Sequence, residues 1–269
     1  MKTFILGLGA QKSGSSWLYE FLNTNSSVKN GPKEYQVWNT VDNVIPLVLD
    51  KPSLGWHPMT QYFQKNPNHY FDFFMDAFFS THNFAYDITP NYSALSKERL
   101  ASIKEEFAKR GVSTKVIFIM RDPIDRLLSS YKHAVRRPDS IKYRTGYPDD
   151  INTQSFYQYA TSEFSKNIGR YENTYKNVAG VFDESDYLFL IYEDLFNNNA
   201  SDKIAKFLNI DFNHDFVNIK VNSAPDDQSV NVSEEMKKEV ALEYIETYRC
   251  MLKIFPEIKD LWPSFKYLD

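Results

Sequence analysis

An α/β domain with a mainly parallel central sheet flanked by helices is predicted by three observations. Apolar runs of strand length recur at Phe4–Leu8, Phe84–Thr89, Thr114–Met120 and Tyr187–Tyr192, with helical patterns between them. The first run stops at a glycine- and serine-rich turn that leads directly into a helix. The 269 residues suffice for one sizeable core, so a single domain over 1–269 is expected, with about 41–84 and 136–150 as insertions over the site.

The first strand ends at Gly9, and Lys12, Ser13, Gly14, Ser15 and Ser16 lead to Trp17, Leu18, Phe21 and Leu22 at helical spacing. Glycines let the backbone aim N–H groups at an anion, and the helix start adds the positive end of its dipole, so a phosphate or sulfate can sit there. Against the nucleotide-kinase pattern G-x-x-x-x-G-K-S/T, Gly9, Gly14 and Ser16 fit, but Ser15 stands where the phosphate-reaching lysine belongs. The one lysine of the loop, Lys12, precedes the second glycine.

A polar segment, Asn23 to Pro32, is followed by Lys33, Glu34, Tyr35, Gln36, Val37 and Trp38. In Val41 to Phe84 the residues Phe63, Phe71, Phe74 and Phe78 can share a helical face, and Pro52, Pro58 and Pro67 divide the region into short pieces. Those rings suit packing or stacking on an acceptor, packing being preferred. Ser96 to Arg110 is an amphipathic helix with Leu100, Ile103 and Phe107 inward and Gly111 as its stop. Pro123 opens the next helix, with Ile124, Leu127, Leu128, Tyr131 and Val135 as its expected buried face. Arg121 at the strand end and Ser129 can both point to the carboxyl edge of a parallel sheet, where open α/β folds bind ligands.

Arg136 to Asp150 is a polar loop with Arg137, Lys142 and Arg144, readable as an acceptor contact or as a solvated basic loop. Helices are expected over Ser155–Arg170 and Ser201–Leu208, and Ser233 caps another that carries Val240, Tyr244, Tyr248, Met251 and Phe255 at core spacing.

Composition narrows the function classes. Net charge is −4, which excludes a global field for nucleic acid and means that an anionic ligand needs a local basic site. With 21 Phe and 18 Tyr the chain is aromatic-rich. A single cysteine, Cys250, excludes an internal disulfide framework, and His57, His69 and His82 lack ligand spacing, so no metal is expected. No run approaches the roughly 18 apolar residues of a membrane span, and a cytoplasmic protein is expected.

Lys12, Ser13, Gly14, Ser15, Ser16 and Trp17 resemble, in order, the 5'-phosphosulfate loop of sulfotransferases that use 3'-phosphoadenosine 5'-phosphosulfate (PAPS). The Lys33-Glu34 pair resembles the glycan-modifying (heparan-type) branch, where such a pair supplies the catalytic glutamate; a plain solvated ion pair is the alternative. Arg121 to Tyr131, RDPIDRLLSSY, is similar to the element whose arginine and serine hold the 3'-phosphate, and Tyr192-Glu193-Asp194-Leu195 resembles a segment common in the family, taken here as structural. Asp87 to Tyr92 is similar to an acidic-Lys-Thr-Pro-x-Tyr segment of the glycan branch, with Ile88 in place of the lysine. Lys220 to Asn231 lacks the basic glycine-rich loop that many members close over the 3'-phosphoadenosine.

The resemblance implies a P-loop-like three-layer fold and a sulfotransferase that moves the sulfuryl group of PAPS to an acceptor hydroxyl, carbohydrate favoured. It implies Lys12 and Glu34 as catalytic residues, and Lys12, Ser13, Gly14, Ser15, Ser16, Trp17, Arg121 and Ser129 as cofactor-binding residues. An ATP-dependent small-molecule kinase and a non-catalytic nucleotide-binding protein are the competing readings.

Overall fold

The computed structural model describes residues 2–24, 31–44, 58–136, 155–196, 198–211 and 230–268. His57, residues 137–150 with Arg137, Lys142 and Arg144, and most of Lys220–Asn231 therefore lie outside the described residues.

Four strands, β1 (Lys2–Gly9), β2 (Phe84–Ile88), β3 (Val112–Met120) and β4 (Tyr187–Ile191), form an all-parallel sheet in the order β2-β1-β3-β4. Both faces are buried, as the near-continuous apolar runs require. Phe4, Leu6, Leu8, Val116, Phe118 and Met120 belong to one core, and Ile5, Ile88, Ile117, Ile119 and Leu190 to the other. The first core is closed by α4 (His69–Ala77), α5 (Lys97–Lys109), α6 (Pro123–Arg136) and α9 (Tyr171–Ala179). The second is closed by α1 (Ser15–Asn23), through Trp17, Leu18 and Phe21, and by α10 (Asn198–Leu208), through Ile204 and Leu208. Sheet and helices make three layers.

In the region before β2, α2 (Trp38–Val41) and α3 (Pro58–Lys65) precede α4. Phe63, Phe71, Phe74 and Phe78 are all buried, and Phe4 of β1 stacks on Phe107 at 4.1 Å and meets Phe74 edge-on at 4.8 Å. These rings close the sheet face. After α6 come α7 (Phe156–Thr161) and α8 (Glu163–Gly169), split at Ser162, whose side chain caps α8 by accepting from the Ser165 amide. Ser233 caps α11 (Glu234–Glu243) as expected, but the predicted long helix breaks at Tyr244, beyond which α12 (Ile245–Ile254) and α13 (Ile258–Leu261) follow.

The connection from β1 runs to β2 on one side, and the next strand, β3, pairs with β1 on the other. The switch point of the sheet thus lies between β1 and β3, and open parallel sheets bind ligands in the crevice at the carboxyl ends of such strands.

Candidate active site

All four strand ends contribute to one edge. At the end of β1, Gly9 has φ +110, and a Cβ there would stand 2.6 Å from the Pro90 carbonyl oxygen. Gly14 has φ +95, and its Cβ would stand 2.4 Å from Leu195 Cδ1. Both positions therefore require glycine. Lys12 takes the left-handed region as a non-glycine residue, with φ +69, a conformation that concentrates at functional sites. Helix α1 starts at Gly14 with no side-chain cap and no acidic residue in its first turn. Its leading amides and the positive end of its dipole face the loop without a built-in anion.

The Lys33-Glu34 pair sits beside this loop. Lys33 Nζ donates to Ser16 Oγ at 2.9 Å and pairs with Glu34 Oε1 at 3.1 Å. Gln36 Nε2 donates to Glu34 Oε2 at 2.7 Å, and Gln36 Oε1 accepts from Asn91 Nδ2 at 3.0 Å. Both carboxylate oxygens are thereby held, while about a third of the Glu34 side chain, 35%, remains exposed. Gln36 itself has φ +53.

The end of β2 fixes that turn. The Ile88 amide donates to the Lys33 carbonyl at 3.0 Å. Asp87, fully buried, accepts from the Tyr70 and Tyr92 hydroxyls at 2.9 Å each and from Thr89 Oγ1 at 2.6 Å. Thr89 Oγ1 in turn accepts from the Tyr35 and Gln36 amides. Asp87→Ala would leave three buried hydroxyls without their acceptor, each costing about 1–3 kcal/mol. The expected loss is about 3–5 kcal/mol in denaturant unfolding.

Burial pushes the Asp87 carboxyl up to about 6, against the pull of Thr89 and the two tyrosines. The folded chain therefore binds this proton more tightly than the unfolded one. Its contribution to stability is fully present below the ordinary carboxylate range and is lost as pH rises toward about 6.

On the far side of the loop, Arg121 follows β3. Its Nη1 donates to the Lys12 carbonyl at 3.3 Å, its guanidinium lies 4.5 Å over the Tyr192 ring, and its buried Nε has no hydrogen-bond partner. Asp122 caps α6 by accepting the Ile124 amide at 2.9 Å, and it also accepts from Tyr248 and from the Ser264 amide, which anchors the end of the chain. The Asp122 amide donates to Glu193 Oε1 at 3.3 Å. Burial pushes Glu193 up to about 7, against the favourable charge of Arg121.

Two consequences follow for Glu193. Stability from its retained proton is present below the ordinary carboxylate range and lost as pH rises through about 7. Ionisation beside Arg121 also cancels part of the positive potential that an anion would meet. Anion affinity at this edge is expected to fall as pH passes 7, and Glu193→Gln should flatten that fall when affinity is measured by calorimetry from pH 6 to 8.

A family model for the sulfotransferase domain matches residues 2–247. The chain belongs to the sulfotransferase domain family. No curated protein sequence matches this sulfotransferase. Among solved structures it is similar to a sulfotransferase from Alicyclobacillus acidocaldarius, with a TM-score of 0.62 at 15% identity over 94% of this chain and 96% of that one. It also matches the sulfotransferase domain of the Synechococcus PCC 7002 olefin synthase, with a TM-score of 0.48 at 16% identity over 80% and 75% of the two chains. For mouse sulfotransferase SULT7A1 complexed with PAP the TM-score is 0.41 at 17% identity over 80% and 60%.

The residues present fit the nucleotide that the family uses. An uncapped helix start, Lys12 and an arginine with an unpartnered buried Nε suit a donor with anionic groups at both ends. Loop and Arg121 lie on adjacent strand ends, as the motif spacing implies. Ser13 and Ser15 are buried in the loop, and Ser16 bonds to Lys33. Trp17 faces the core, 2% exposed and stacked on Phe21 at 5.3 Å. Ser129 is part-buried on α6, while its neighbour Ser130 bonds to Gln11 of the loop at 2.9 Å and to the Tyr159 hydroxyl at 2.7 Å.

Sequence reasoning singled out the Lys33-Glu34 pair for Glu34 alone and gave no site role to Lys33, Gln36, Asn91 or Glu193, which the fold brings around the loop. The last lies in the Tyr192-Glu193-Asp194-Leu195 segment, which reads as structural in the sequence. In the fold, Tyr192 carries Arg121, Glu193 holds the start of α6, and Leu195 closes against Gly14. Among the described residues, no group of three or more His, Cys, Asp or Glu side chains could hold a metal, and no helix is long and apolar enough to cross a membrane.

Proposed function

We propose that this sulfotransferase transfers a sulfuryl group from PAPS to a carbohydrate hydroxyl, with Glu34 as the general base. The carrying observation is the hydrogen bond from Lys33 Nζ to Ser16 Oγ, which ties the base candidate to the phosphosulfate loop.

When bound, PAPS would supply the activated sulfuryl group. The loop amides with Ser13, Gly14, Ser15 and Ser16 would hold its 5' end, and Arg121 with Ser129 its 3'-phosphate. Lys12 places a positive charge at the loop, where an oxygen that gathers charge in the transition state is stabilised. Glu34 takes the proton from the acceptor hydroxyl, with its carboxylate kept in one orientation by Lys33 and Gln36. Trp17 supports the loop from the core side.

The acceptor side is formed by the segment before β2. Gln64 of α3 donates to the Gln36 carbonyl at 2.8 Å, which links α3 to the Glu34 turn and supports placing α3 beside the acceptor. Ile88 is fully buried against the second core, so the cation that the glycan branch carries at this position is missing. A neutral carbohydrate fits this better than a highly anionic polysaccharide.

The test is transfer from PAPS labelled in its sulfuryl group to neutral oligosaccharides, anionic oligosaccharides, phenols and aliphatic alcohols. Label on a neutral oligosaccharide hydroxyl is expected. Label on phenols or alcohols alone would overturn the carbohydrate assignment.

A further inference from the structure

Two adjacent residues of the anion loop are gripped from α6 and the turn that opens it. Arg121, just before α6, donates from Nη1 to the Lys12 carbonyl at 3.3 Å. Ser130, about two turns into the helix, donates from Oγ to Gln11 Oε1 at 2.9 Å. Ser130 is 3% exposed, and its hydroxyl also meets the buried Tyr159 hydroxyl of α7 at 2.7 Å. A helical serine often turns its hydroxyl back to the carbonyl one turn earlier. Here the hydroxyl goes instead to residues 119 and 29 positions away in sequence. The motif that marks Ser129 gives Ser130 no task.

Proton count sets the direction of this chain. The Gln11 amide oxygen only accepts, so it takes the one Ser130 proton, and Tyr159 donates to Ser130. Hydrogen bonds in such a series polarise one another. Tyr159 is firmly seated: it is fully buried, lies 5.3 Å from the Tyr131 ring, and sits on a helix closed by the Ser155–Gln158 capping box. The tether on Gln11 therefore ends in packed structure.

What it holds is a strained turn. Lys12 has φ +69, and a non-glycine residue stays in that region only where its surroundings over-determine it. The Ala10 amide donates to the Ile119 carbonyl of β3 at 2.9 Å, and the Ser13 amide closes the turn on the Ala10 carbonyl at 3.2 Å. Between those points, Ser130 holds Gln11 and Arg121 holds Lys12.

We propose that Ser130, backed by Tyr159, is a positioning residue for the phosphosulfate loop: through Gln11 it keeps the left-handed turn at Lys12, so that the loop meets the 5' end of the nucleotide already formed. This rests on the PAPS reading above. A loop ordered in advance raises affinity, because the ligand does not have to order it.

The test uses the full chain with Ser130→Ala, Ser130→Thr, Gln11→Met and the double variant Gln11→Met/Ser130→Ala. Affinity for 3'-phosphoadenosine 5'-phosphate (PAP) is measured by calorimetry, beside the thermal midpoint without ligand. Ser130→Ala should bind PAP about five- to tenfold more weakly, the worth of one hydrogen bond, and Ser130→Thr, which keeps the hydroxyl, should recover most of that loss. Gln11→Met should lose at least as much, and the double variant no more than Gln11→Met alone. A lower midpoint with unchanged PAP affinity in Ser130→Ala would overturn the proposal by making Ser130 a packing residue only. An undiminished cost of Ser130→Ala on top of Gln11→Met would overturn it as well, since the effect would not pass through Gln11. If Ser130→Ala does not fold, Gln11→Met, a change on the partly exposed loop, carries the test, and unchanged affinity there overturns the proposal. Wild-type protein that binds no PAP would overturn the cofactor reading, and this assignment with it; that result is read on the wild type alone.

Discussion

Glu34→Gln should lower turnover by roughly 10²- to 10⁴-fold, the range that a positioned general base supplies. The substitution keeps the shape of the side chain, so the fold and the nucleotide affinity should be nearly unchanged. One contact is lost, since an amide offers only one acceptor where the carboxylate receives both Lys33 and Gln36. The loss should appear in kcat rather than in the KM for PAPS. Single-turnover rates with a saturating acceptor check this. A rate near wild type would remove Glu34 from the mechanism and leave its ion pair with Lys33 as a structural tie for the loop.

Lys12→Ala is expected to cost about 10²- to 10³-fold in kcat, comparable to removing one preorganised electrostatic donor from an active site. Stability should change little. The φ of +69 at this position is already borne by a side chain with a Cβ, and alanine meets the same constraint. Arg121 takes the Lys12 carbonyl rather than its side chain, so that contact survives the change. Denaturant unfolding beside steady-state rates separates a catalytic loss from a collapsed loop.

The sheet and its ligand edge were legible because their signals are local. Strand runs such as Phe4–Leu8 and Thr114–Met120 are apolar throughout, and glycines at 9 and 14 sit where the loop requires φ near +100. Lys12 and Arg121 come together because β1 and β3 are neighbours, which the motif order already implied. The supports of the site were not legible, since they depend on long-range pairing. Asp87 looks like one carboxylate at a strand end, and only the fold collects Tyr70, Tyr92 and Thr89 around it. On α6, helical spacing selected Ile124, Leu127, Leu128, Tyr131 and Val135 for burial; the first two are fully buried and the other three pack partly buried against the cores, while the tertiary packing also turned Arg126 and Ser130 inward. Periodicity assigns polar residues to solvent and so misses a buried arginine.

The account stands or falls on which nucleotide the edge accepts. Thermal unfolding with PAP, AMP, ADP and magnesium ATP measures this directly, since a ligand at a hundred times its dissociation constant adds about 2.7 kcal/mol. Selective stabilisation by PAP, with AMP and ADP well behind, is the predicted result. Stabilisation by magnesium ATP instead, or by none of the four, would contradict it.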